Sequence, residues 1–151
     1  MKIKFTLAFL IIFLLSGQTL IKAQHGKNRE EIQKRKIEFI KKKLQLTAEE
    51  EKAFLPIVNE FEKKRGDIIK KKHIVFRDFN KNSLNLSEKD LSNMTNNLMS
   101  LNLEEAKLCS EYNTKFKEVL PPMKVMLLYI SEHEFKKNLI RKMKNKPPPP
   151  K

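Results

Sequence analysis

Apolar residues recur at intervals of three and four along most of this chain, the period of helices with one buried face. A first helix is expected over Arg29–Leu44, where Ile32, Ile37, Ile40 and Leu44 fall near one face among Lys and Arg. Its stripe is thin, so it docks as an arm and does not stand alone. The second helix has the clearest start. In Leu46-Thr47-Ala48-Glu49-Glu50 the Thr47 hydroxyl can accept from the N–H three residues on, and the Glu50 side chain can reach back to the Thr47 N–H, which is a capping box. The carboxylates of Glu49, Glu50 and Glu51 also suit the positive end of the helix dipole. The stripe Phe54, Ile57, Val58, Phe61, Ile68, Ile69, Phe76 and Phe79 carries the helix from Ala48 to Phe79. Pro56 inside it predicts a kink, and Gly66 is a second soft point.

Asn80–Leu86 reads as a polar connection, after which Ser87 caps a third helix with Asp90 in the box position. Its stripe is Leu91, Met94, Leu98, Leu101, Leu108, Tyr112, Phe116 and Val119. Leu120-Pro121-Pro122 ends that helix, because the residue before a proline avoids helical geometry, and Pro122 suits the first turn of the next. The fourth helix runs from Pro122 to about Lys144 on Met126, Leu127, Ile130, Phe135 and Leu139. Two long amphipathic helices joined by a short loop make an antiparallel pair. The expected fold is therefore all-α, four helices built on a long bent antiparallel helical hairpin.

The ends of the chain differ from this pattern. Lys2 and Lys4 precede a continuous apolar run from Phe5 to Leu15, then a polar break, Ser16-Gly17-Gln18, and the small residue Ala23. That is the layout of a secretory signal peptide cleaved after about Ala23, and the run is too short for a span of about 20 residues. An uncleaved anchor is the alternative; a lipoprotein anchor lacks its Cys near the cut. The chain divides into a signal peptide (1–23), a flexible start (24–28), a helical domain (29–144) and a Pro-rich tail (145–151), the last holding Pro147 to Pro150.

Export changes what the charge means. The net charge is +14, of which Lys2, Lys4 and Lys22 contribute three, leaving +11 on the mature chain. The cations concentrate at Arg29–Lys43 and Lys136–Lys151. A basic chain usually suggests nucleic acid. Outside the cytoplasm the expected partners are instead unfolded or signalling proteins and an anionic membrane surface, with no nucleic acid; a merely solvated basic surface is the plain alternative. Cys109 is the single cysteine, so no intramolecular disulfide can form. It either packs as a small apolar residue or bridges two chains.

Candidate chemistry is sparse. His25, His73 and His133 are scattered, and Glu132-His133-Glu134 cannot close on one ion, because neighbouring helical residues point apart. No phosphate loop, nucleophile elbow or paired metal-ligand motif is present. The expectation is a protein with no enzymatic activity, cofactor or metal; a weak zinc site at His73 or His133 with a carboxylate is the alternative. Met94, Met99, Met123 and Met126 serve either as core or as an adaptable contact surface. An apolar excess on the Phe-rich second helix would be covered by pairing two hairpins, so a homodimer is expected.

An exported helical chain with Leu46-Thr47-Ala48-Glu49-Glu50 opening its long helix resembles the Spy/CpxP family of periplasmic stress proteins, whose hallmark is Leu-Thr-x-x-Gln at two places. Glu50 replaces the Gln of the first. At the second, Leu120-Pro121-Pro122-Met123-Lys124 keeps only the Leu and its place before a helix. Phe54–Phe61 and Leu120-Pro121-Pro122 look closer to a branch labelled as sensors for extracytoplasmic sigma factors. The resemblance covers Arg29–Lys142. It implies a periplasmic protein with a bent four-helix chain, dimerising into a cradle. It also implies either ATP-independent binding of unfolded proteins or restraint of a signalling partner as sensor or anti-activator, in some members with a metal response. The surface expected to bind is basic and apolar-lined: Arg35, Ile37, Ile40, Lys41, Phe54, Phe61 and Arg65.

Overall fold

Backbone N–H and C=O groups of a chain poor in glycine and rich in Lys, Glu and Leu are satisfied most readily within helices. The computed structural model describes residues 30–145, and every regular element in it is helical. These elements are α1 (30–44), α2 (Ala48–Asn82), a 3-10 turn (Ser83–Asn85), α3 (Glu88–Val119) and α4 (Pro122–Lys144). There is no strand among the described residues. The expected signal peptide at 1–23, the start at 24–28 with His25, and the prolines at Pro147–Pro150 lie outside the described residues.

The chain divides between Phe39 and Ile40 into two compact units. In the first, Arg35 pairs with Glu31 one turn away on an exposed face, and Ile37 is buried. The hydrophobic core lies in the second.

Helix α1 ends at Gln45, which adopts φ 47°, a left-handed conformation usually left to Gly. Its N–H donates to the Lys41 carbonyl at 3.1 Å and so satisfies one orphan acceptor of the last turn. The capping box at α2 forms as the sequence predicts. Thr47 Oγ1 accepts from the Glu50 N–H at 3.2 Å, and Glu50 Oε2 accepts from the Thr47 N–H at 2.8 Å. The Ser87–Asp90 box repeats the device at α3. Helix α2 continues unbroken past Pro56 and runs three residues beyond its expected end at Phe79, so the polar connection shrinks to a 3-10 turn. Pro121 keeps extended backbone before α4, and Pro122 occupies the first turn.

The core is built from α2 and α3, with smaller contributions from the end of α1 and from α4. Phe54, Phe61, Ile68 and Val75, each seven residues after the last, line its α2 side. Leu101, Leu108, Tyr112 and Phe116 line its α3 side, and Ile40, Leu44, Leu120, Val125 and Leu128 close it. Phe54 lies against Phe116 with ring centroids 5.6 Å apart. Phe61 meets Tyr112 at 5.2 Å and Phe116 edge-on at 5.9 Å. Such tilted and edge-on pairs suit the ring quadrupoles and add about 0.5–1.5 kcal/mol each beyond area burial.

Two expected stripes are corrected. On α2 the buried residue near the C-terminal end is Val75; Phe76 and Phe79 are 51% and 45% exposed. On α4 Val125 and Leu128 are buried, whereas Met126 and Ile130 are 58% and 42% exposed. Adjacent helical positions differ by about 100° around the axis, so an error of one residue selects another face.

Candidate functional site

Three groups of side chains stand out once the core is in place. The first is a corner where α1, α2 and α4 meet. Lys124 Nζ donates to Glu50 Oε2 at 2.5 Å and to the Gln45 carbonyl at 3.0 Å. Lys41 pairs with Glu51 at 2.7 Å, and Lys43 with Glu134 at 2.9 Å. The Lys124 hydrogen bond, then the Thr47 N–H, hold the Glu50 carboxyl below its ordinary range against a smaller opposing effect of burial. The two segments singled out in the sequence therefore converge. Leu46 packs on the core edge, Thr47 and Glu50 cap α2, Leu120 is buried, and Pro121-Pro122 aim Lys124 at the cap.

The second group is a layer of charge inside the α2–α3 seam. Val58, Arg65, Lys72 and Phe79 are seven apart on α2, as are Leu98, Glu105, Tyr112 and Val119 on α3. Arg65 Nε donates to Glu105 Oε1 at 2.9 Å, and Lys72 Nζ to Glu105 Oε2 at 2.5 Å. Arg65 also reaches Glu132 of α4 at 3.7 Å. Burial opposes the charge on Glu105, but Lys72 and Arg65 outweigh it and the carboxyl is held low. For Arg65 burial is again opposed and overcome, by Glu105, Glu132 and Glu62, so the guanidinium stays charged. Cys109 sits half-buried beside this layer, and burial pushes its thiol up, with Arg65 pulling the other way. A groove of 370 Å3 opens nearby, floored by Ile68 and Leu108. The Tyr112 hydroxyl is buried and has no hydrogen-bond partner of good geometry among the described residues. Its ring is flanked by Lys115 and Lys64, whose Nζ atoms lie 4.3 and 5.4 Å from the centroid.

The third group is apolar and exposed. Ile74, Phe76 and Phe79 on α2, Leu84 in the turn, and Leu91, Met99 and Leu103 on α3 all present side chains to solvent, Leu84 at 97%. Arg77, Lys81 and Lys89 lie among them in sequence, as do Asp78, Glu88 and Asp90, so the stretch is charge-balanced.

The surface expected from the sequence is thus not where its apolar members were placed. Ile40, Phe54 and Phe61 are core residues at 0%, 0% and 4% exposure, and Ile37 is buried in the first unit at 8%. Ile40, Phe54 and Phe61 belong to the core between helices and do not line a surface. Lys41 and Arg65 are partly exposed and engaged in ion pairs, and Arg35 is exposed. Sequence reasoning missed Ile74, Leu84 and Leu103; their signal was that they are large apolar residues off the stripe. Among the described residues no three His, Cys, Asp or Glu side chains gather as a metal site, and no helix is long and apolar enough to cross a membrane. No protein-family model, curated protein or solved structure matches the chain.

Proposed function

We propose that this chain is a non-enzymatic, exported envelope-stress protein of Spy/CpxP-like type that holds partially unfolded proteins without ATP. In this reading α2 and α3 form a bent antiparallel hairpin that works as a homodimer. Support for the hairpin comes from the order of the pairs. Phe54 with Phe116, Phe61 with Tyr112 and Arg65 with Glu105 advance along α2 while they retreat along α3.

The observation that carries the functional reading is the run of exposed apolar side chains from Ile74 to Leu103. The net charge of the chain, +14, raises the rate of encounter with an acidic client, and apolar contact at this run then slows release. The binding surface is moved accordingly, from the buried Phe54 and Phe61 to Phe76, Phe79 and Leu84.

The test is aggregation of a chemically denatured client on dilution, followed by light scattering. The chain suppresses aggregation below one equivalent, less so at high salt as the encounter is screened. The triple variant Phe76→Ser, Phe79→Ser, Leu84→Ser loses suppression while keeping its helical circular dichroism. Absence of suppression at every ratio overturns the chaperone reading. Retrieval of one envelope protein without effect on generic clients transfers the assignment to a sensor or anti-activator.

A further inference from the structure

Helix α4 has two apolar faces, and the core uses only one. Val125, Leu128 and Ser131 point inward, while Met126, Ile130, Ile140 and Met143 are 42–69% exposed. Met126, Ile130 and Ile140 lie within one side of the helix wheel, together with Lys137 and Lys144, and Lys136 and Arg141 flank them. The two carboxylates of α4 are both in ion pairs: Glu134, on the flank beside Ile130 and Arg141, with Lys43, and Glu132 with Arg65. Lys136, Lys137 and Lys144 have no acidic partner among the described residues. The outward face is therefore apolar and net cationic along about 30 Å, and the one carboxylate on its flank, Glu134, is paired with Lys43.

We propose that this face of α4 lies on an anionic phospholipid surface, with Met126, Ile130 and Ile140 entering the headgroup boundary and the lysines extending to lipid phosphates. The inference is independent of the chaperone reading, which rests on α2 and α3. Three arguments choose the occupant. A second copy presenting the same face would bring the same excess of cations to the contact, against a single carboxylate, Glu134, that is already paired with Lys43. A protein partner is disfavoured by chemistry, because Lys is depleted and Arg enriched at protein interfaces, and here lysines outnumber the single Arg141. Lipid phosphate accepts lysine as a point charge, and a helix face of this kind lies along the plane of a bilayer. No described helix is long and apolar enough to cross a membrane, so α4 binds flat.

The experiment is co-sedimentation of the full chain with vesicles of phosphatidylcholine alone and of phosphatidylcholine with 30% phosphatidylglycerol. The chain binds the anionic vesicles more tightly, and the preference falls with salt. Each of Lys136→Gln, Lys137→Gln and Lys144→Gln weakens binding by about fivefold. The N-terminal apolar run is common to all variants, so it cannot produce these differences. The chain has no Trp, so Ile130→Trp supplies a single reporter whose emission shifts to the blue on anionic vesicles only. Equal binding to both vesicle types, unchanged binding of the triple Lys→Gln variant, or no blue shift overturns the proposal. So does binding to polyglutamate that matches the anionic vesicles and ignores Met126→Ser and Ile130→Ser, since that pattern describes an acidic protein partner.

Discussion

Lys124 and Glu50 occupy the fifth positions of the two short segments that mark the starts of α4 and α2, and their side chains meet at 2.5 Å. A cation in the first turn of a helix opposes the helix dipole. Here it is compensated by a carboxylate that already serves as half of a capping box. The contact thus joins the entry of α2 to the entry of α4, 74 positions apart in the sequence.

Glu50→Gln separates the two duties of this residue. The amide oxygen still accepts from the Thr47 N–H, but the charge pairing with Lys124 is lost. Because the folded-state carboxyl is held below its ordinary value of 4.5, its contribution is complete above that value and disappears as pH falls through the lowered one. Urea denaturation at pH 7 places the variant below the parent, and the two converge in acid. Thr47→Ala removes the other half of the box and costs about 1 kcal/mol at either pH.

The layer formed by Arg65, Lys72 and Glu105 replaces apolar residues with charge inside a helix seam. Glu105→Ala leaves two cations facing each other. The loss is about 1–2 kcal/mol, less than for a fully buried pair, because the side chains retain 16–29% exposure and are partly screened. Replacing all three with Leu is neutral or stabilising in equilibrium unfolding. Glu105 protonates below its ordinary range, so the difference between parent and Glu105→Ala also closes in acid.

Helix starts were legible in the sequence because a capping box is a local device: Thr47 with Glu50 and Ser87 with Asp90 need only each other. Faces were less legible. Met126 and Ile130 are as well spaced as Val125 and Leu128, and only the partner helix decides which pair is buried. Arg65 and Lys72 read as interruptions of the α2 stripe until Glu105 appears opposite them. Phe54 and Phe61, expected on a surface, are buried for the same reason. The most periodic aromatic residues, Phe54 and Phe61, are the best core residues, and the exposed ones include Phe76 and Phe79 of the expected stripe as well as Ile74, Leu84 and Leu103 off it.

Gly66 lies inside α2, and a methyl group built there meets nothing within 4 Å. Packing does not require the glycine, and its φ is not positive. Gly66→Ala therefore stabilises the chain by about 0.5–1 kcal/mol, through lower entropy of the unfolded state and higher helix propensity. A calorimetric midpoint that rises in the variant checks this, and a fall would mean that α2 bends at Gly66.

The reassignment of the surface predicts opposite results for two apolar truncations. Phe54 is fully buried, touches the Phe116 ring and belongs to the core shared by α2 and α3. Phe54→Ala removes that contact and leaves a cavity, at a cost of about 3–5 kcal/mol. Met126 is 58% exposed, and Met126→Ala changes stability by less than about 0.5 kcal/mol. Chemical denaturation of the two variants beside the parent measures both. Equal costs would return Met126 to the core face, where its helical spacing first placed it, and would remove the outward apolar face of α4.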